Sequence, residues 1–254
     1  MTSSGAALRC THLTKRFGDE VVVDDLTLTA DPGEVVALIG LNGAGKTTLM
    51  RLLLAMTRPD SGEARVFGRN VATSHSDHWH GVGHMIETPF AYPELTVTQN
   101  VWAAARLHGL TRIEAPRAAA QAVERVGLTP YAARRCSTLS QGNKQRLGLA
   151  SAMVHSPRLL VLDEPTNALD PAGVVLLRDL VQEAAREGTT VLVSSHHLDE
   201  VARVADRVDV LHRGRVVGEL PRNVVDLEHA FFEMVHAADS DSGQGSLRGT
   251  SHES

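Results

Sequence analysis

The sequence predicts an α/β fold: a mostly parallel sheet, preceded by an antiparallel β subdomain and interrupted by an inserted α-helical subdomain. Three observations carry that expectation. Four short runs rich in β-branched residues, VVALIG (35–40), LLVLDE (159–164), TVLVSSH (190–196) and RVDVLH (207–212), are almost continuously apolar. That is the habit of strands covered on both faces, as in a parallel sheet. Ahead of them, LRCTHLTKRF and VVVDDLTLTA alternate roughly between apolar and polar residues, as antiparallel strands with one wet face do. Between the first two runs lie TVTQNVWAAARLHG and RIEAPRAAAQAVERVG, Ala- and Arg-rich helical stretches that both end at Gly, the first of them beginning with Thr. They place the inserted lobe at roughly 88–155. One folded domain is expected over 1–238. The Ser- and Gly-rich residues 239–254 hold too little apolar surface to offset the entropy of ordering them, so they are expected to form a disordered tail.

Composition narrows the function. The 254 residues can bury a sizeable core, and 43% hydrophobic with 22% charged residues is ordinary for a globular chain. No apolar run approaches the roughly eighteen residues that span a bilayer. The opening MTSSGAALRC has neither the basic start nor the apolar stretch of a secretion signal, so a cytosolic location is expected. Two cysteines, Cys10 and Cys136, are expected to be reduced, partly buried thiols without a chemical role. A formal charge of -5 and a pI near 6.2 give no footprint for nucleic acid.

Chemistry concentrates first in GLNGAGKTT (40–48), which follows a buried-strand pattern and leads into an apolar helical one. The string fits the phosphate-loop pattern G-x-x-x-x-G-K-[ST], so a P-loop NTPase core is expected, a Gly-rich turn with a solvated lysine being the plainer alternative. Gly40, Gly43 and Gly45 let the backbone curl so that successive amides face one anion at a helix start. Asn42, Ala44 and Thr48 complete the expected nucleotide-binding loop. Lys46 supplies positive charge to the β- and γ-phosphates, and Thr47 a hydroxyl for Mg²⁺.

LLVLDEP ends a buried run with two adjacent carboxylates, which is costly unless a cation sits nearby. Asp163 is expected to hold Mg²⁺. Glu164, directed to the other side of the extended chain, is expected to polarise an attacking water. A capping pair for the next helix is the plainer alternative. In VSSHH, His196 closes another buried run, at the edge where ligands of open α/β sheets bind, and a γ-phosphate contact is expected of it. The cluster SHSDHWHGVGH brings His75, His78, His80 and His84 together in sequence. With no cysteine in it, and at a turn leading into a strand, we do not read it as a metal site.

The phosphate loop, LSQGN (139–143), LLVLDEP, NALD (167–170) and SSH (194–196), in that order, resemble the nucleotide-binding subunit of an ATP-binding cassette (ABC) transporter over residues 8–235. The resemblance implies an ATPase that uses ATP and Mg²⁺. It also implies a head-to-tail dimer, a homodimer by expectation, in which Ser140 and Gly142 of one subunit close over nucleotide held by the other. Phe17 in KRFG would stack on adenine, and Asp170 would organise the dimer seam.

Two departures stand out. The family's Leu-Ser-Gly-Gly-Gln signature is here Leu-Ser-Gln-Gly-Asn, with Gln141 and Asn143 as substitutes, and Glu87 stands where the family has a glutamine that approaches the metal. Glu87 is therefore expected at the Mg²⁺ site. Glu87, the TPFAYPELT after it and the late DLEHAFFEMV resemble the branch that exports drugs and bacitracin- or lantibiotic-type peptides. Phe90, Tyr92 and Pro93 would form a docking groove for a short cytoplasmic helix of a separate permease, holding the chain at the inner membrane face. Local packing is the alternative for that stretch. Import, or a soluble cassette acting on ribosomes or DNA, are the other readings of the whole chain. The single set of motifs stands against the second, because soluble relatives of that kind usually carry two cassettes in one chain.

Overall fold

The computed structural model describes residues 5–198, 203–221 and 226–245, with side chains as far as Ser240. Two sheets organise it. β1 (Leu8–Phe17), β2 (Glu20–Ala30), β4 (Ser61–Val66) and β5 (Arg69–Asn70) form an antiparallel sheet in the order β2-β1-β4-β5. β3 (Val35–Ile39), β6 (Val82–Met85), β7 (Leu159–Leu162), β8 (Thr190–Ser195), β9 (Arg207–His212) and β10 (Arg215–Glu219) form the second, in the order β10-β9-β3-β8-β7-β6. All its neighbours are parallel except β10, which returns antiparallel to β9.

The apolar runs are strands because both their faces are covered. Every residue of β3, β7 and β8 is buried. Alternate side chains enter different cores: Val35, Ala37 and Ile39 of β3 face one, Val36 and Leu38 the other. The first core joins the sheet to α2 (Val97–Leu107), α3 (Glu114–Arg125), α4 (Gln141–Met153) and α5 (Pro171–Arg186). The second joins it to the antiparallel sheet and to α1 (Lys46–Leu53), which contributes Leu49, Met50, Leu52 and Leu53. Each such side chain, fully buried, stabilises the fold by about 1.5–3 kcal/mol relative to exposure.

Helix starts follow local chemistry. Thr96 and Gln99 cap α2 reciprocally, each side chain accepting from the other's backbone amide. Asp170 caps α5 by accepting from the Gly173 amide at 2.8 Å, and Pro171 supplies the pre-set first helical φ. The helices α2, α3 and α4 all lie between β6 and β7 in the chain.

Two expectations are corrected. The run LLVLDE ends as a strand at Leu162, and Glu164 takes a left-handed backbone (φ 48°), so it does not continue an extended chain. The C-terminal helix α6 (Leu227–Gly245) passes well beyond 239, the expected start of the tail. The sequence pattern misses this because the holding contacts are distant in the chain: Asp239 meets His212 Nε2 at 2.8 Å and the Arg213 guanidinium at 3.2 Å. Phe231 and Val235 are buried in the first core. Residues 246–254 lie outside the described residues.

Candidate functional site

Parallel strands deliver their C-terminal ends to one sheet edge, and the sequence places its polar motifs there. β3 runs into the phosphate loop, β7 into Asp163 and Glu164, and β8 lies between them with Ser194, Ser195 and His196 at its end. The loop's curl depends on two glycines with φ of 82° (Gly43) and 104° (Gly45). A Cβ on Gly45 would stand 2.5 Å from the Val22 carbonyl oxygen, so the β1–β2 hairpin packs directly on the loop. Asn42 and Gly43 face outward, while Ala44, Gly45 and Lys46 are buried. Phe17, at the end of β1, keeps 52% of its surface exposed, with Lys15 Nζ 5.3 Å from its ring centre. It is not a core aromatic.

Thr47 Oγ1 donates to Asp163 Oδ2 at 2.7 Å, and Ser194 Oγ donates to Asp163 Oδ1 at 2.6 Å. Asp163 is 2% exposed, so its charge is tolerated only because both oxygens are engaged. Two adjacent hard oxygen donors, a hydroxyl and a carboxylate, suit Mg²⁺. Ser194 does a second job: its oxygen accepts from the Glu164 amide at 2.9 Å. The turn at Glu164 aims its carboxylate at His196 Nδ1 (2.7 Å) and Lys46 Nζ (3.3 Å). Lys46 also donates to the Gly40 carbonyl at 2.6 Å. A left-handed backbone at a non-glycine residue costs of order 1–3 kcal/mol and persists where surrounding contacts over-determine it, as they do here.

Of the three residues expected at the metal, Thr47 and Asp163 meet. Glu87 is turned elsewhere. Its carboxylate pairs with Arg51 of α1 at 2.8 Å, and its backbone is also left-handed (φ 55°).

The signature turn lies at the start of α4. Ser140 is exposed and caps the helix, accepting from the Asn143 amide at 3.3 Å. A Cβ on Gly142 would come within 2.9 Å of the Ala168 carbonyl oxygen, so glycine lets NALD press against the turn. Arg146 then reaches Asp170 at 3.3 Å, and Gln145 Nε2 donates to the Pro165 carbonyl at 3.0 Å. Signature and NALD are thus one packed unit. No local pattern in the sequence marks Arg51, Gln145 or Arg146, and Ser194 stands out only as part of SSH. The signal for Ser194 was a hydroxyl in an otherwise apolar strand.

A cavity of about 340 Å³ opens beside this edge, with Phe90, Tyr92, Leu107 and Met56 around it and Arg51 and Glu87 at its wall. The Phe90 and Tyr92 rings meet edge to face at 5.1 Å. Elsewhere, Cys10 is buried and that burial pushes its thiol up to about 12, which leaves it inert. Among the described residues no group of His, Cys, Asp and Glu is arranged to hold a metal, and no helix is long and apolar enough to cross a membrane.

Comparison with known proteins decides what this edge belongs to. The profile described as ABC transporter matches residues 23–167, more than half of the chain. The chain belongs to the ABC transporter family. Among its relatives, the bacitracin transport ATP-binding protein BcrA of Enterococcus faecalis is 40% identical, covering 82% of this chain and 67% of that one. The Bacillus licheniformis protein of the same name is 37% identical over 84% and 69%. The Nod factor export ATP-binding protein I of Rhizobium etli is 34% identical over 87% and 70%. A solved ATP-binding subunit of an ABC transporter superposes with a TM-score of 0.83 at 28% identity, covering 90% of this chain and 99% of that one. A dimeric cassette in a post-hydrolysis state with ADP and Pi shares the fold, with a TM-score of 0.75 at 24% identity, covering 85% and 99%. As an ATP-binding subunit of this family, the ABC protein is an ATPase.

Proposed function

We propose that the chain powers a separate membrane permease that exports a drug or peptide antibiotic. The observation that carries the coupling is the apolar groove under Phe90 and Tyr92, whose wall holds Arg51 of the phosphate-loop helix. A short amphipathic helix of a partner would fill it, with i, i+3 and i+4 anchors against the aromatic rim. What supports export is likeness to proteins named for bacitracin transport and Nod factor export. A position on the cytoplasmic face follows from binding such a partner.

In this reading the loop from Gly40 to Thr48 grips the phosphates of ATP, and Phe17 stacks on the base. Mg²⁺, when bound, supplies charge stabilisation to the transferring phosphoryl group. Thr47 and Asp163 would hold it, while Glu87 stays paired with Arg51. A γ-phosphate replaces the carboxylate as the partner of Lys46. Glu164 then takes its place as the base that orients and deprotonates water, and His196 contacts the γ-phosphate. Ser140 and Gly142 serve the nucleotide of the opposite subunit in a homodimer, because an exposed helix N-terminus is a ready anion site.

Affinity capture of the chain from its native membrane, followed by identification of the hydrophobic protein retained, tests the coupling. We expect a permease that is lost with Phe90→Glu while ATP binding is kept. Deleting the gene should raise sensitivity to a peptide antibiotic. Retention of the same permease by Phe90→Glu would remove the groove from the proposal, and unchanged sensitivity across that class would remove the cargo.

A further inference from the structure

We propose that Arg51 is a positioning residue of the ATP site: its guanidinium neutralises Glu87 and holds that carboxylate away from the Thr47–Asp163 metal position. The inference rests on the reading that these two residues hold Mg²⁺. It starts from geometry. Arg51 lies four residues after Thr47 on α1, so the two side chains share one helix face. The Arg51 carbonyl accepts from the Met56 amide at 2.9 Å and the Thr57 amide at 3.4 Å, which fixes the last turn of α1 beneath it. On the other side, the amide of Asp163 donates to the carbonyl of Met85 at 2.8 Å. The chain reaches Glu87 only two residues later, where the left-handed backbone sets the side chain toward Arg51.

Glu87 thus belongs to the same neighbourhood as Asp163 and Glu164. A third free carboxylate there would draw a divalent cation more strongly and resist its departure with product. Arg51 removes that excess charge without removing the side chain. The pair also joins the groove loop to the helix that begins with Lys46 and Thr47.

The test reads binding as well as turnover. ATP affinity of the purified chain is measured by calorimetry with Mg²⁺ and with EDTA, and the ratio of the two is the readout. Arg51→Ala should raise the Mg²⁺ enhancement roughly three- to tenfold, as expected for one uncompensated charge near a divalent ion. Glu87→Gln, which leaves Arg51 unpaired, should lower it by a similar factor. Arg51→Lys should stay within about twofold of wild type, and the double variant Arg51→Ala/Glu87→Gln should return to it. A merely structural Arg51 would move none of these in opposite directions. An unchanged ratio in Arg51→Ala, with circular dichroism and melting as in wild type, overturns the inference. So does a double variant that fails to return. If wild type itself shows no Mg²⁺ enhancement, the metal reading falls and the inference with it, and the two failures are told apart by that one measurement.

Discussion

At Glu164 the chain leaves β7, turns left-handed, and aims one carboxylate at both Lys46 and His196. The Ser194 hydroxyl fixes that turn by accepting from the Glu164 amide while donating to Asp163. Glu164→Gln keeps the shape and the backbone contact but loses the carboxylate proposed as the base. ATP hydrolysis should fall by about 10²–10⁴-fold with nucleotide affinity retained, and Mg·ATP should hold a dimer visible by size-exclusion chromatography. Turnover at the wild-type rate would take Glu164 out of the reaction. Gly45 makes a second residue-scale test. Alanine there meets the Val22 carbonyl at 2.5 Å with φ at 104°, so Gly45→Ala should lower stability by about 1–3 kcal/mol and abolish ATP binding. Urea unfolding and calorimetry check both effects.

Between elements, the junction of α2, α4 and β6 carries an unusual stack. His108, which follows α2, and His155, which follows α4, lie with ring centres 3.8 Å apart and planes 3° from parallel. Both ring nitrogens of His155 are closed to solvent. Burial, then the neighbouring His108, hold its pKa down at about 3, and burial also lowers that of His108. The folded state therefore refuses protons that the unfolded chain takes up near pH 6.5. The sign follows: stability from these neutral rings is fully present above about pH 6.5 and is lost as pH falls from there toward about 3. His155→Phe keeps a flat ring without the proton site. It should flatten the acid-side loss of stability by up to about 1.4 kcal/mol per pH unit, measured by urea unfolding between pH 7 and 4.5. An unchanged slope would show that His155 is protonated alike in both states.

For the whole molecule, the proposed head-to-tail dimer would put the phosphate loop and the exposed Ser140 of one chain into two different half-sites. Lys46→Ala damages one half and Ser140→Arg blocks the other, so homodimers of either variant should be inactive. On mixing with subunit exchange, about half of the dimers become heterodimers, in which one site carries both lesions and the other neither. Roughly a quarter of all sites should then be intact, and ATPase should recover in proportion, or labelled nucleotide should be trapped at that stoichiometry if the sites are strictly coupled. Full activity of Ser140→Arg alone would show that the signature does not serve a neighbour's nucleotide.

Local patterns were sufficient for the α/β class and for naming most of the residues that meet at the candidate site. A buried apolar run names a parallel strand by its own composition, and GLNGAGKTT needs only its glycines and its helix start to form an anion cradle. Sequence by itself therefore determined the strands β3, β7, β8 and β9, the phosphate loop, and the carboxylates that follow β7. Tertiary structure decided what depends on partners far apart in the chain. The Thr47–Asp163 and Ser194–Asp163 contacts set which way the Asp163 carboxylate faces, and Arg51, 36 residues before Glu87, pairs with that side chain. His212 and Arg213 hold α6 at Asp239, the first residue whose composition reads as tail. Periodicity records which residues are buried together along one element, but an ion pair across elements leaves no period. Its existence is fixed only when the sheet order has brought the two ends together.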